Sequence, residues 1–185
     1  MSSWVTDLLR LRQKQKEQKE RTLARKAGKL SPATIRLQND ITKLALPDSI
    51  KIQFPNPNNK MDFIIIVSPT EGYYKNGHFK FSINVNENYP IDPPKVKCTQ
   101  TIYHPNIDLQ GNVCLNILRA DWTPALDLNS VVYGLNLLFN EPNPNDPLNK
   151  NAANDLIKNE QVFRSNVCRS MEGMVFDNVI FDRVL

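Results

Sequence analysis

The sequence predicts an α+β fold: an N-terminal helix, a four-stranded antiparallel meander, a long structured loop and C-terminal helices. Three observations carry this. Apolar residues recur at helical spacing from residue 31, they alternate in short segments between residues 50 and 98, and they return to helical spacing from Leu128 after a stretch with no period.

Ser31-Pro32 opens the first helix, with serine as cap and proline at the first helical position. Ile35, Leu37, Ile41 and Leu44 then follow close to helical spacing until Pro47. Ile50, Ile52 and Phe54 alternate, Phe63–Val67 is a continuous apolar run, and Phe79, Phe81, Ile83 and Val85 alternate again behind an Asn76-Gly77 hairpin-type turn. A fourth short strand carries Val96 and Cys98 after Pro93-Pro94. Strands joined by turns imply a meander with one buried face. Residues 101–127 show neither period and are dotted with Pro105, Asn106, Gly111, Asn112 and Pro124. They read as one long ordered loop, of a length that usually carries function. Leu128, Val131, Val132, Leu135, Leu138 and Phe139 form a helical face closed by Pro142, and two further helices are expected near Asn151–Ile157 and Asn159–Met174.

The charge of +4 is unevenly placed. Residues 1–30 hold nine Lys or Arg against three acids, whereas the other 155 residues hold fourteen against sixteen. Residues 1–30 are therefore a basic extension and residues 31–185 a nearly neutral core domain. The core lacks basic clusters interleaved with aromatics, which argues against nucleic acid as partner. No apolar run is long enough to cross a bilayer and no signal peptide is visible, so no membrane partner is expected. In the extension, Trp4, Val5, Leu8, Leu9 and Leu11 cluster ahead of a polar run. That pattern fits either a disordered tail or a segment that folds into a partner's groove.

Three cysteines, widely spaced and without a CxxC pair, argue against a disulfide framework and for a reducing, cytoplasmic and nuclear setting. Cys98 lies on a strand in phase with Val96, and Cys168 lies beside Val167 and Met171; both read as packing residues. Cys114 differs, standing in the unpatterned loop after Gly111-Asn112-Val113, which makes it a candidate nucleophile. His104 either serves a cysteine as base or braces the loop. Two histidines and three scattered thiols do not form the close ligand pairs of a metal site, phosphate-binding glycine patterns are absent, and no cofactor is expected.

The run Tyr103-His104-Pro105-Asn106, followed eight residues later by Cys114, resembles the signature of the ubiquitin-conjugating enzymes. Around it stand Tyr89-Pro90, Pro93-Pro94-Lys95-Val96, Trp122-Thr123-Pro124-Ala125-Leu126 and Pro142-Asn143-Pro144-Asn145-Asp146-Pro147-Leu148, in that family's order and spacing. The resemblance covers about residues 31–174 and is strongest to the branch serving the Nedd/Rub modifier, through Asn106–Leu109, Gly111–Arg119 and the basic extension. It implies the ubiquitin-conjugating fold and a catalytic loop in which Cys114 accepts the modifier as a thioester and passes it to a substrate lysine. It implies Asp146 as the acidic gate for that lysine and Asn106 as an oxyanion donor or loop brace, with His104 and Pro105 structural. It places a RING-type ligase on Ile91, Pro124 and Ala125. The heterodimeric activating enzyme would bind through Leu8, Leu9 and Leu11, a scaffold co-ligase would engage the modified N-terminus, and cullins would be the substrates. Two departures stand out. The chain begins Met1-Ser2-Ser3-Trp4 where these relatives have a bulky apolar second residue, and Ala120 replaces their glutamate. Ubiquitin as cargo is the rival reading, and a non-enzymatic binding module on the same fold is disfavoured by the presence of Cys114.

Overall fold

The computed structural model describes residues 30–185. Helix α1 (Pro32–Thr42) precedes strands β1 (Ile50–Gln53), β2 (Asp62–Val67), β3 (Phe79–Asn84) and β4 (Lys95–Cys98). A 3-10 turn (Asn116–Leu118), helices α2 (Leu128–Asn140), α3 (Lys150–Lys158) and α4 (Glu160–Met171), and strands β5 (Val175–Phe176) and β6 (Val179–Ile180) complete the chain. The first four strands form an antiparallel sheet in sequence order, the expected meander.

Ser31 caps α1, its hydroxyl accepting from the Thr34 amide at 3.1 Å. Of the expected stripe on α1, Leu37 is buried and Ile41 and Leu44 pack against the core, but Ile35 is exposed and Ala33 and Asp40 complete the buried face. The helix stops at Thr42, short of Pro47, because the chain is drawn onto α2: the Ala45 amide donates to Asn129 Oδ1 at 2.8 Å.

Register fixes the inner face of the sheet. Phe63 pairs with Ile83, Ile65 with Phe81 and Val67 with Phe79, and all six are buried. Burying each such side chain is worth about 1.5–3 kcal/mol. Asn76, at φ 69°, does turn the chain before β3, but β2 and β3 are not joined by a two-residue hairpin. The intervening segment instead makes an excursion that seats Tyr74 in the core, edge-on to Phe79 and Phe139.

Helix α2 packs across this face through Leu128, Val131, Val132, Leu135, Leu138 and Phe139, as its periodicity predicts. Asn149 and Asn159 cap α3 and α4. Helix α4 ends earlier than expected, with Gly173 at φ +82° turning the chain out. Its inward face is Phe163, Val167, Ser170 and Met171, which leaves Cys168 exposed, contrary to the packing role expected for it.

The sequence reading also missed the β5–β6 hairpin, closed by Asp177 and Asn178 at φ 51° and 59°. Phe176 and Phe181 stack at 4.6 Å beside Tyr103. The amides of His78 and Asp182 then tie the C-terminal residues to β3 and to Thr101.

Candidate active site

Residues 102–107 are buried without a break, which explains why they show no period: the loop has no outward face. Its centre is His104, fully buried, with its ring stacked on Tyr74 at 4.9 Å. Nε2–H donates to the Leu138 carbonyl at 2.9 Å, and Nδ1 accepts the Asn106 amide at 3.0 Å. Burial drives the pKa down to about 3 against the weaker opposing pull of Leu138, so the ring is neutral at every physiological pH. With both nitrogens committed to backbone groups, His104 has no free position from which to act as a base.

Pro105 and Asn106 extend the brace. The Pro105 carbonyl accepts from the amides of Leu148 and Asn149, each at 2.9 Å, fastening the start of α3. The Asn106 carbonyl accepts the Cys114 amide at 2.8 Å. Its side chain donates to the carbonyls of Asn143 at 2.7 Å and Asp146 at 3.3 Å, while Oδ1 accepts the Asn143 amide at 2.9 Å. Both amide hydrogens are thus spent on holding residues 143–146, and neither is aimed at the thiol. Of the two roles weighed for Asn106, this geometry is the bracing one.

Between Asn106 and Cys114 the chain doubles back. Asp108 collects the Gln110 and Asn112 amides on Oδ1 at 3.0 and 2.8 Å, closing the turn. Gly111, at φ +81°, presses on β4, where a Cβ would lie 2.0 Å from the Cys98 carbonyl oxygen. Beyond Cys114, Leu115 and Ile117 lean on α2 over Gly134, where a Cβ would meet them at 2.8 and 2.9 Å. Gly134 is a positioning residue that sequence reading missed; a glycine inside a strong helical pattern was its signal.

These braces bring Cys114 and Asp146 together across 32 positions of sequence, with Cys114 Sγ donating to Asp146 Oδ2 at 3.1 Å. The carboxylate is not a cap, since Asn149 caps α3 and Asn143 closes the local turn on the Asn145 amide. Burial first, and then the Asp146 carboxylate, push the Cys114 thiol up, while Arg119 pulls the other way. The residue is only 8% exposed, yet its sulfur opens onto a groove of about 630 Å³ that runs along α2 past Tyr133, Leu137 and Glu141. Cys98, by contrast, is buried under the sheet with its pKa pushed up to about 11 by desolvation. Among the described residues no cluster of His, Cys, Asp and Glu is arranged to hold a metal ion.

A second region lies apart from the thiol. Ile91 is 74% exposed, and Pro124 and Ala125 are exposed on the neighbouring loop. Trp122 joins the two loops, its indole N–H donating to the Pro90 carbonyl at 2.9 Å. Arg36 supports them from α1, donating to the carbonyls of Pro124 and Leu126 at 2.9 and 2.7 Å. Its Nε–H pairs with buried Asp40, which also accepts the Tyr89 hydroxyl. Trp122 and Arg36 had no assigned role from sequence, although a loop tryptophan must find a partner for its N–H. Leu8, Leu9 and Leu11 lie outside the described residues.

The sequence profile described as "Ubiquitin-conjugating enzyme" matches residues 36–171. The chain is 49% identical over 175 residues to a Drosophila melanogaster protein named Nedd8-conjugating enzyme UbcE2M, covering 95% of this chain and 96% of that one. It is 50% identical over 169 residues to Schizosaccharomyces pombe NEDD8-conjugating enzyme ubc12, covering 91% and 96%. Among solved structures, Saccharomyces cerevisiae Ubc12 superposes with a TM-score of 0.83 at 45% identity, covering 95% of this chain and 98% of that one. A meander under a crossing helix, a cysteine on a braced loop and this extent of sequence identity converge on one assignment: the chain belongs to the ubiquitin-conjugating enzyme family and is a cysteine-dependent transferase.

Proposed function

We propose that this enzyme carries a Nedd8-type (Nedd/Rub) modifier as a thioester on Cys114 and transfers it to a lysine of an acceptor protein, with cullins as the acceptor class. The observation that carries the reading is the Cys114–Asp146 pair at the open end of the groove. The names of the fly and fission-yeast relatives support the choice of modifier.

The chemistry divides into two unequal steps. An ordinary cysteine is about 3% thiolate at pH 7, and thiolate is strongly nucleophilic. A raised pKa makes that fraction smaller at Cys114, so the thiol sheds its proton as it attacks the activating enzyme's thioester. The second step is harder, because lysine is a free amine only about once in a few thousand molecules at neutral pH. Asp146 lies within reach of whatever approaches Cys114, and its carboxylate suits an incoming ammonium. The groove along α2 would hold the extended C-terminal tail of the modifier, Tyr133 and Leu137 supplying apolar walls. Asn106 acts here mainly by holding the segment that presents Asp146. Donation to the oxyanion would require it to release the 3.3 Å bond to the Asp146 carbonyl.

Ile91, Pro124 and Ala125 form the ligase-facing surface in this reading, supported by their exposure and by the Trp122–Pro90 link. The extension supplies the contact with the heterodimeric activating enzyme. Deleting residues 1–26 is then expected to raise the apparent KM of charging and leave the chemistry intact.

The deciding experiment is charging by each modifier with its own activating enzyme. Nedd8 is expected to form a thiol-sensitive adduct, lost in Cys114→Ala and converted to a thiol-resistant ester in Cys114→Ser. Ubiquitin charging without Nedd8 charging would overturn the choice of modifier, and an adduct on Cys98 or Cys168 would overturn the choice of residue.

A further inference from the structure

Oδ2 of Asp146 already accepts a hydrogen bond in this structure, from the Cys114 thiol itself. Resting on the function proposed above, we infer that the ammonium-binding site for the acceptor lysine is complete only in the charged enzyme. The free thiol holds its Oδ2, and thioester formation releases that oxygen.

The geometry supports the inference from both sides. Asp146 is held by its backbone: its carbonyl accepts from Asn106, and the Pro105 carbonyl anchors Leu148 just beyond it. Oδ2 of the carboxylate meets Sγ at 3.1 Å. No other side chain among the described residues hydrogen-bonds this carboxylate, so Sγ–H is the donor with which an incoming ammonium competes at Oδ2. Arg119 pulls the thiol's pKa down, and Glu141 lines the same groove. His104 is neutral and fully committed to the backbone.

The proton accounting is complete. In charging, the Cys114 S–H bond breaks, a bond forms from Sγ to the modifier's carbonyl carbon, and the activating enzyme's thiolate leaves and takes up the proton. The product sulfur has no hydrogen to donate, so Asp146 loses its partner. An incoming Nζ–H₃⁺ can then take the vacated oxygen. The amine attacks as its surplus proton is released through the carboxylate to solvent, the C–S bond breaks, and Sγ regains a proton to re-form the resting pair. In the uncharged enzyme the same pairing keeps the nucleophile in its less reactive form and shields it from adventitious electrophiles.

Two readouts test the inference. The first is the pH dependence of iodoacetamide alkylation of uncharged enzyme, with Cys98 and Cys168 replaced by alanine. Each tenfold gain in thiolate, less the lower nucleophilicity that accompanies it, leaves alkylation about threefold faster. Asp146→Asn is expected to be alkylated faster than wild type near neutral pH with its profile displaced to lower pH, whereas Glu141→Gln should change it less. Equal rates and profiles for wild type and Asp146→Asn would overturn the inference. The second readout follows the Asp146 carboxyl carbon by NMR during titration with free lysine. A larger response is expected in the Cys114→Ser enzyme charged as its stable ester than in uncharged wild type. Equal responses in both states, or none in the charged enzyme, would overturn it. Failure of the parent reading would look different, as unimpaired discharge onto lysine by the charged Asp146→Asn enzyme.

Discussion

His104 offers a direct test of how the catalytic loop is held, because its role leaves a signature in pH. The ring is fully buried, stacked on Tyr74 and edge-on to Phe139, with one nitrogen donating to Leu138 and the other accepting from Asn106. Protonating Nδ1 would set an N–H against the Asn106 N–H in a fully buried site. The folded-state pKa accordingly falls from the ordinary 6.5 to about 3. A depressed histidine contributes stability that is fully present above its unfolded pKa and lost as pH falls toward its folded one. Linkage gives a loss of about 2 kcal/mol between pH 7 and pH 5, and about 5 kcal/mol over the whole window. His104→Gln removes the titrating group while retaining a donor and an acceptor, and is expected to cost about 1–3 kcal/mol at pH 7 through imperfect bonds. Urea unfolding of both proteins at the two pH values measures the difference, and His78 cancels because both contain it. Wild type should lose about 2 kcal/mol more than the variant on going from pH 7 to pH 5. Equal losses would mean that His104 is not held neutral, and the account of the brace would fail with it.

Three further outcomes follow from the same geometry. Gly111→Ala forces a Cβ to 2.0 Å from the Cys98 carbonyl at a left-handed φ, so it should destabilise by about 2–4 kcal/mol in denaturant unfolding and slow charging, since Cys114 is only three residues away. Asn106→Ala breaks three bonds to residues 143–146; it should lose about 1–3 kcal/mol and slow discharge onto lysine while charging persists, and normal discharge would remove Asn106 from the reaction. Trp122→Phe deletes the 2.9 Å bond to Pro90, so ligase-stimulated discharge should weaken while unassisted discharge is unchanged; equal ligase stimulation in variant and wild type would detach the two loops from ligase binding.

The parts legible in the sequence are those where a face exists to be read. The inner face of β3 and the α2 stripe appear in the structure as their periods predict, because each element has one side on the core and one toward solvent, whereas β2 is a continuous apolar run whose inner face shows only in its register with β3. Ile35 and Cys168 defeat the same logic on short helices, where a shift of one position along the turn exchanges inside for outside. Asp40 is buried on α1 not by hydrophobicity but by bonds to Arg36 and Tyr89 that no local pattern announces. The β5–β6 hairpin was legible in principle: Asp177-Asn178 between Val175-Phe176 and Val179-Ile180 is a turn pair between apolar pairs.

The site is the opposite case. Residue pattern alone set Cys114 apart from the other two thiols as a candidate nucleophile, and the family resemblance made it the expected thioester carrier. What pattern could not supply is the contact with Asp146, because it depends on a chain of backbone bonds through His104, Pro105 and Asn106 that closes at no fixed spacing. Side chains in this loop are chosen for where they send a hydrogen bond, not for which way they face. That choice explains the absence of any period in residues 102–107 and their nearly complete burial. It also explains why bracing and chemistry cannot be separated here. The asparagine that resembles an oxyanion donor in sequence is the residue that holds the Asp146 segment, so in the proposed reaction its replacement is expected to affect lysine approach and any oxyanion contact together. Distinguishing those effects requires a readout of Asp146 itself, such as its carboxyl resonance, rather than of turnover.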